Sequence, residues 1–102
     1  MIVIAGRMSI DPAKRDEAAA AARTVAAATK AEAGCEAYEF SFDIDDPATI
    51  HIFERWASQE ALDQHFQTPH LAAFGQALGS LGVHATDVRQ YQIDSWKSLS
   101  GG

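Results

Sequence analysis

The hydrophobic positions change period along the chain, and the changes divide it into strands and helices. Residues 2–10 alternate between apolar and polar and are rich in β-branched side chains, which predicts a strand. Residues 35–44 and 49–57 alternate on either side of a turn at Asp45–Pro47, which predicts an antiparallel hairpin. Residues 83–96 alternate again and predict the last strand.

Two segments between these strands have helical periodicity. The first helix is predicted to begin at Asp11–Pro12, since Asp caps a helix and Pro suits its first turn, and to end before Gly34. Its buried stripe is predicted to be Ala18, Ala22, Val25 and Thr29, or alternatively Ala21, Val25 and Ala28. A short helix over 59–66 is capped by Ser58, and Thr68–Pro69 starts another. The apolar stripe of this last helix is Leu71, Phe74, Leu78 and Leu81.

The order β-α-β-β-α-β predicts an α+β, ferredoxin-like fold with an antiparallel sheet. Two helices would cover one face of the sheet. The other face carries apolar residues such as Val3 and Phe53, and a bare apolar face invites a second copy of the chain. We therefore expect one domain over residues 1–97 that forms a homodimer, followed by a flexible tail over residues 98–102.

Composition narrows the class of partners. A net charge of −6 without a basic cluster argues against nucleic acid and anionic membranes. No apolar run approaches the roughly 18 residues of a membrane span, and the first residues do not resemble a signal peptide. The single cysteine, Cys35, suggests a reducing compartment, so we expect a cytoplasmic protein.

Motifs for cofactor or nucleophilic chemistry are missing from the sequence. His65 and His70 are five residues apart across a helix break, which is not the spacing that places two metal ligands on one helical face. The chain has no glycine loop for phosphate and no Gly-x-Ser-x-Gly motif. We therefore predict no metal site, no flavin or nucleotide cofactor and no nucleophilic catalysis.

Aromatic and histidine side chains are predicted to converge between the sheet and the second helical segment, which begins at residue 59. Each has an ordinary structural explanation: Trp56 as a core residue, His65 in a local hydrogen bond, and Glu54 in a salt bridge with Arg7 or Arg89. Together they suggest an apolar pocket with a few polar groups, which suits a flat aromatic ligand. The residues expected to meet there are Tyr38, Glu54, Trp56, His65, Phe66, His70 and Phe74.

Three motifs carry a family resemblance. They are Glu-x-Gly-Cys-x-x-Tyr over 32–38, Glu-Arg-Trp over 54–56, and His-x-x-Thr-Pro-His-x-x-x-Phe over 65–74. In this order, within residues 2–81, the chain resembles the antibiotic biosynthesis monooxygenase family, including its quinol monooxygenases. The resemblance implies a dimeric α+β barrel that oxidises anthrones or quinols with O₂ and needs no flavin, haem or metal.

The resemblance also implies roles for the converging residues. A neutral histidine is a natural base near neutral pH, and an indole N–H can stabilise an oxyanion. His65 is therefore the predicted base, and Trp56 is the predicted oxyanion donor or stacking wall. The predicted contacts to the substrate are Tyr38, Glu54, Phe66, His70 and Phe74.

Three other functions remain open from the sequence. A haem-degrading branch of this fold uses Asn on the first strand and His on a late helix, where this chain has Gly6 and Phe74 or Gly75, so haem degradation is disfavoured. An isomerase of a small dicarbonyl sugar phosphate could hold its phosphate with Arg7 or Arg89. A non-catalytic dimeric binding or stress module is the third. A filled or open site, instead of one closed cavity, would favour the binding module.

Overall fold

The predicted α+β fold is confirmed in the computed structural model, which describes residues 1–101. In chain order the elements are β1 Ile2–Ser9, a 3₁₀ turn Pro12–Lys14, α1 Arg15–Lys30, β2 Cys35–Phe42, β3 Thr49–Trp56, α2 Gln59–His65, α3 Pro69–Ser80 and β4 His84–Gln92. The strands form one antiparallel sheet in the order β2-β3-β1-β4, the ferredoxin-like arrangement. Within these residues, no helix has both the length and the apolar character needed to cross a membrane.

The predicted helix caps are formed by side chains. Asp11 accepts a hydrogen bond from the backbone N–H of Ala13, although the helix begins with a 3₁₀ turn before α1. Ser58 caps α2 and Thr68 caps α3 in the same way. The chain turns after α1 through Gly34, whose φ of 82° is one that residues with a Cβ rarely adopt. These caps and the turn at Gly34 determine where each helix begins and where the chain returns to the sheet.

Two strands end earlier than the alternation predicts, and each end has a physical cause. Strand β2 ends at Phe42 because the Asp43 carboxylate accepts the backbone N–H groups of Asp45 and Asp46, at 3.1 and 2.9 Å, and so turns the chain. Ile44, which lies in this turn between Asp43 and Asp45, is consequently exposed. Strand β4 ends at Gln92 because its partner β1 begins at Ile2 and offers little beyond it to pair with.

The core lies between the sheet and the helices. On α1 the buried residues are Ala18, Val25 and Thr29, in agreement with the first predicted stripe. The main cluster contains Ile2, Ile4, Val25, Tyr38, Trp56, Leu62 and Phe74. Two of its largest members, Tyr38 and Trp56, are also predicted site residues, so the candidate site and the core share side chains.

The opposite face of the sheet is open. Every residue of β4 is exposed, including Val88 and Tyr91, and Phe53 and Trp96 are exposed near it. A cavity of about 670 Å³ on this side is lined by Met1, Val3, Glu36, Phe53, Arg55, Ile93, Ser95, Trp96 and Ser98. This uncovered apolar surface is the feature on which the prediction of a homodimer rests.

Candidate functional site

Trp56 and Glu54 lie side by side on the helix-facing side of β3. They are two residues apart, so the alternation of the strand places both on one face. Both are buried, and Trp56 Nε1–H donates to Glu54 Oε1 at 3.0 Å. Burial raises the pKa of the Glu54 carboxyl, while the indole bond and the charge of His65 oppose that rise. The indole N–H predicted to face a substrate therefore already has an acceptor.

The alternative salt bridge of Glu54 to an arginine is not formed. Arg89 pairs instead with Asp87, at 2.8 Å between Nε and Oδ1, on the exposed strand β4. Arg7 is exposed and lines a cavity on the other side of the sheet together with His51. Glu54 instead lies on the side of the sheet that faces the helices, where its carboxylate accepts the indole N–H of Trp56.

A single carboxylate joins the two predicted histidines. His65 Nδ1 lies 2.8 Å from Glu32 Oε2, and His70 Nε2 lies 2.7 Å from the same oxygen. An ionised carboxylate only accepts, so each of these nitrogens donates its N–H. In neutral imidazoles, this assignment from the hydrogen-bond network makes Nε2 of His65 and Nδ1 of His70 the nitrogens that carry lone pairs.

The three members of this set differ in their access to solvent. The side chain of His65 is 1% exposed, that of Glu32 14% and that of His70 27%. His65 lies at the end of α2, where Thr68 Oγ1 donates to its carbonyl oxygen at 2.8 Å. The set therefore extends from the protein interior to the surface through hydrogen bonds of ordinary length.

Aromatic rings enclose His65. Ring centroids lie 4.8 Å away for Trp56, 5.3 Å for Tyr38 and 6.0 Å for Phe66. Trp56 and Tyr38 are buried, whereas Phe66 is 54% exposed. Burial raises the pKa of the Tyr38 hydroxyl far above its usual range, so Tyr38 is a neutral phenol. The rings pack directly on one another, and the space between them is filled.

Two cavities lie beside this cluster. One of about 280 Å³ between α1 and β2 is lined by Ala18, Ala19, Ala22, Arg23, Ala26, Lys30, Tyr38, Glu39, Phe40, Ser41, Phe42 and Ile50. One of about 200 Å³ between α1 and α3 is lined by Ala21, Thr24, Val25, His70, Ala73, Phe74 and Ala77. Tyr38 thus faces the first cavity, and His70 and Phe74 face the second. The seven predicted residues form one neighbourhood but do not line one common cavity.

Glu32 is the site residue that the sequence reasoning missed. It occupies the first position of the Glu-x-Gly-Cys motif, in the turn after α1, and is 33 residues from His65 and 38 from His70 along the chain. Its place in that motif was the available signal. The separation in sequence hid its contact with the two histidines.

Glu32 also bears on the prediction that no metal site exists. One ligand atom from each of Glu32, His65 and His70 lies within 4.8 Å of the others, and two histidines with a carboxylate can hold zinc or iron. The spacing of the histidines does not reveal this carboxylate, which lies 33 and 38 residues away in the sequence. In this structure, however, the carboxylate oxygen lies at hydrogen-bond distance from both rings.

Comparison with known sequences gives matches over most of the chain. The sequence profile of a family described as antibiotic biosynthesis monooxygenase matches residues 1–77. An uncharacterised protein of Synechocystis sp. is 32% identical over 98 residues, which are 96% of this chain and 67% of that protein. A Bacillus subtilis protein that bears the name "Putative monooxygenase" is 27% identical over 74 residues, 72% of this chain and 78% of its own.

Solved structures resemble the chain over almost its whole length. A structure from Deinococcus radiodurans, described as a "putative antibiotic biosynthesis monooxygenase", has a TM-score of 0.89 at 25% identity and covers 99% of this chain and 100% of its own. A structure from Caulobacter crescentus with the same description has a TM-score of 0.80 at 26% identity and covers 94% of this chain and 90% of its own.

Proposed function

The chain belongs to the antibiotic biosynthesis monooxygenase family, and we propose that it oxidises a phenolic substrate of the quinol or anthrone type with O₂ and without a cofactor. The observation that carries the proposal is the carboxylate of Glu32 shared by His65 and His70 next to buried aromatic rings. Such a set supplies a base in a dry apolar environment, which is what this reaction needs from a protein.

In the proposed reaction, His65 removes a proton from a phenol or enol. Its Nε2 carries the lone pair because Nδ1–H donates to Glu32. The resulting anion is rich in electrons and gives them to O₂. For an anthrone, the ring CH₂ becomes C=O, one oxygen atom of O₂ enters that carbonyl and the other leaves as water. The substrate supplies all four electrons, so no external reductant is needed.

Phe66 is the proposed point of access to His65. Trp56 and Tyr38 are anchored in the core, but Phe66 is half-exposed and contacts His65 at the end of α2. Rotation of its ring would open His65 without disturbing the core. We therefore propose that the substrate displaces Phe66 and stacks on the imidazole, with Tyr38 as a neutral hydrogen-bonding or packing partner.

Trp56 and Glu54 are proposed to act together. The indole N–H can serve a substrate oxyanion only by leaving Glu54 Oε1, to which it now donates. Burial raises the pKa of the Glu54 carboxyl, and the indole bond opposes that rise, so the release of this bond to a substrate would change the environment of Glu54 as well. His70 and Phe74 are proposed contacts for the part of the substrate that extends into the cavity between α1 and α3.

Oxygen consumption tests the proposal. Purified protein, treated with a chelator and dialysed, is added to hydroquinones, naphthoquinols and anthrones in an oxygen electrode. Uptake above the rate of spontaneous oxidation, proportional to protein concentration, is the expected result. Rates equal to spontaneous oxidation for every substrate would contradict it. His84→Gln, at an exposed position of β4 away from the cluster, serves as the matched control for the histidine variants.

A non-catalytic binding module is the second candidate, because one observation favours it. The rings around His65 are packed against each other, as in an ordinary core, while the cavity of about 280 Å³ between α1 and β2 is open to a ligand. A protein of this kind would bind flat aromatic molecules next to Tyr38 and leave the rate of their oxidation unchanged. The oxygen electrode therefore separates the two candidates.

Neither of the other enzymatic alternatives is favoured. A Cβ at Gly6 would collide with the carbonyl oxygen of Asp87, so this position cannot hold the Asn of a haem-degrading enzyme. Arg7 and Arg89, the phosphate ligands considered for an isomerase, lie away from the histidine set. Both observations support the proposed oxidation over these two reactions.

We also propose that the protein works as a homodimer. The exposed apolar residues of β4 and the cavity on the open side of the sheet would be covered if two sheets packed face to face. Such a dimer would leave both histidine sets on the outer, helix-covered sides of the sheets. A small aromatic substrate and O₂ are the other proposed partners, and the cytoplasm is the proposed location.

A further inference from the structure

We infer that Glu32 is a positioning residue, whose carboxylate holds His65 with Nδ1 protonated and so keeps Nε2 available as the base. The inference deepens the proposed function and rests on it for its catalytic consequence. Its structural part, the choice of tautomer, stands on the geometry alone. The motif spacing does not assign a role to Glu32, because its two partners lie 33 and 38 residues away in the sequence.

The backbone around Glu32 is held firmly. Its own N–H donates to the carbonyl of Thr29 at 2.9 Å, and its carbonyl accepts from Cys35 at 3.3 Å. Next in the turn, the Gly34 carbonyl accepts from Ala57 at 2.8 Å and so ties the turn to the end of β3. The carboxylate therefore starts from a fixed point between the end of α1 and the sheet. A side chain anchored in this way can orient a neighbouring ring.

His70 restrains the other side of the carboxylate. Without a second donor, Glu32 could rotate about its side-chain bonds and still satisfy one hydrogen bond. With His70 Nε2 at 2.7 Å from the same oxygen, the position of Oε2 is set from two directions. The side chain of His65 is 1% exposed and that of Glu32 14%, so the bond between them forms in a site with little solvent.

A metal ion is the rival explanation for the same three side chains. Zinc would sit about 2.0–2.1 Å from each nitrogen and at a similar distance from the carboxylate oxygen. A metal would have to replace both hydrogen bonds, since the oxygen now lies 2.7 and 2.8 Å from the two nitrogens. The present distances match hydrogen bonds between charged and neutral groups, and they favour the positioning role.

The test compares Glu32→Gln with Glu60→Gln, which removes an exposed carboxylate from the first turn of α2. The ¹⁵N chemical shifts of the imidazole nitrogens report the tautomer of His65 in each protein. We expect the wild type and Glu60→Gln to have Nδ1 protonated and Nε2 free. In Glu32→Gln we expect a mixture of tautomers, because the amide can donate as well as accept. On a confirmed substrate, kcat should fall about 10–100-fold with little change in KM.

The outcomes separate failure of the inference from failure of the proposed function. Unchanged imidazole shifts in Glu32→Gln would overturn the inference, whatever the activity. A tautomer change without loss of kcat would overturn its catalytic part. If no substrate is oxidised, the proposed function fails, and the shifts still decide whether Glu32 selects the tautomer. Titration with Zn²⁺ completes the test: one tightly bound ion per chain, lost in both Glu32→Gln and His70→Ala, would overturn the positioning role in favour of a metal site.

Discussion

Replacement of Trp56 by Phe isolates the hydrogen bond between the indole and Glu54. The ring stays, so the wall beside His65 is largely kept, but Glu54 Oε1 loses its donor at 3.0 Å. A hydrogen bond to a charged group contributes about 1.5–3 kcal/mol, and one between neutral groups about 0.5–1.5 kcal/mol. The cost of the substitution should therefore depend on whether Glu54 is ionised.

The sign of that dependence follows from the raised pKa of Glu54. Between its ordinary value of 4.5 and the raised folded value, the folded protein holds a proton that the unfolded chain has released. The contribution of Glu54 to the free energy of unfolding is therefore fully present below pH 4.5 and is lost as pH rises through the folded pKa. The indole bond lowers the folded pKa, so its removal should raise that pKa further and enlarge the total loss of stability with rising pH.

We expect Trp56→Phe to lower the free energy of unfolding by about 1 kcal/mol more near pH 7.5 than near pH 4. For a domain of this size, 1 kcal/mol corresponds to about 4–8 °C in Tm. Urea denaturation at both pH values, at a fixed protein concentration, measures the difference. The packing lost in Trp56→Phe is the same at both pH values, so the difference between the two measurements reports the hydrogen bond.

Two variants control this experiment. Trp96→Phe removes an indole that is 71% exposed and lies on the opposite side of the sheet from Glu54, so any effect on stability should be the same at both pH values. In Glu54→Gln, which cannot ionise, adding Trp56→Phe should cost the same at both. An equal cost of Trp56→Phe at the two pH values in the presence of Glu54 would contradict this prediction, because the strength of the indole bond would then not depend on the charge of Glu54.

Three further predictions concern the base, the access route and the assembly. His65→Gln should remain folded and lower kcat by about 10²–10⁴-fold in the oxygen electrode, while a full rate with a lower Tm would leave His65 a structural role only. Phe66→Ala should change KM several-fold with little loss of Tm, since its ring is half-exposed, and unchanged kinetics would place substrate access elsewhere. Light scattering should give twice the 11.0 kDa mass of one chain, with an interface of roughly 2,000 Å² or more, and Val88→Lys on β4 should shift it to monomer. A wild-type monomer would contradict the proposed dimer.

The order of the elements was predictable because each carries a local signal. Periodicity distinguished strands from helices, and Asp11, Ser58 and Thr68 marked helix starts through side-chain hydrogen bonds that depend only on neighbouring residues. Strand ends were harder to predict. The end of β4 depends on where β1 begins, and the local alternation of β4 contains no information about its pairing with a distant strand.

The candidate site was predictable as a neighbourhood but not as a network. Alternation along β3 correctly placed Glu54 and Trp56 on one face, and helix periodicity brought His65 above them. The hydrogen bonds among these residues depend on side-chain geometry. That is why the sequence did not reveal the contact of Glu32 with the histidines, and why a salt bridge with an arginine was the structural alternative considered for Glu54 instead of its bond to the indole.

Incorporation of ¹⁸O from labelled O₂ shows whether the protein inserts oxygen into its substrate or only transfers electrons to O₂. Metal-free protein is incubated under ¹⁸O₂ with a substrate that it consumes in the oxygen electrode, and the product is analysed by mass spectrometry alongside a control without protein. We expect one ¹⁸O atom in the product, in the new carbonyl for an anthrone or in the new ring hydroxyl for a quinol, together with a yield that depends on His65 and no stoichiometric hydrogen peroxide. An unlabelled quinone formed together with hydrogen peroxide would contradict it, because the protein would then transfer electrons to O₂ without inserting oxygen.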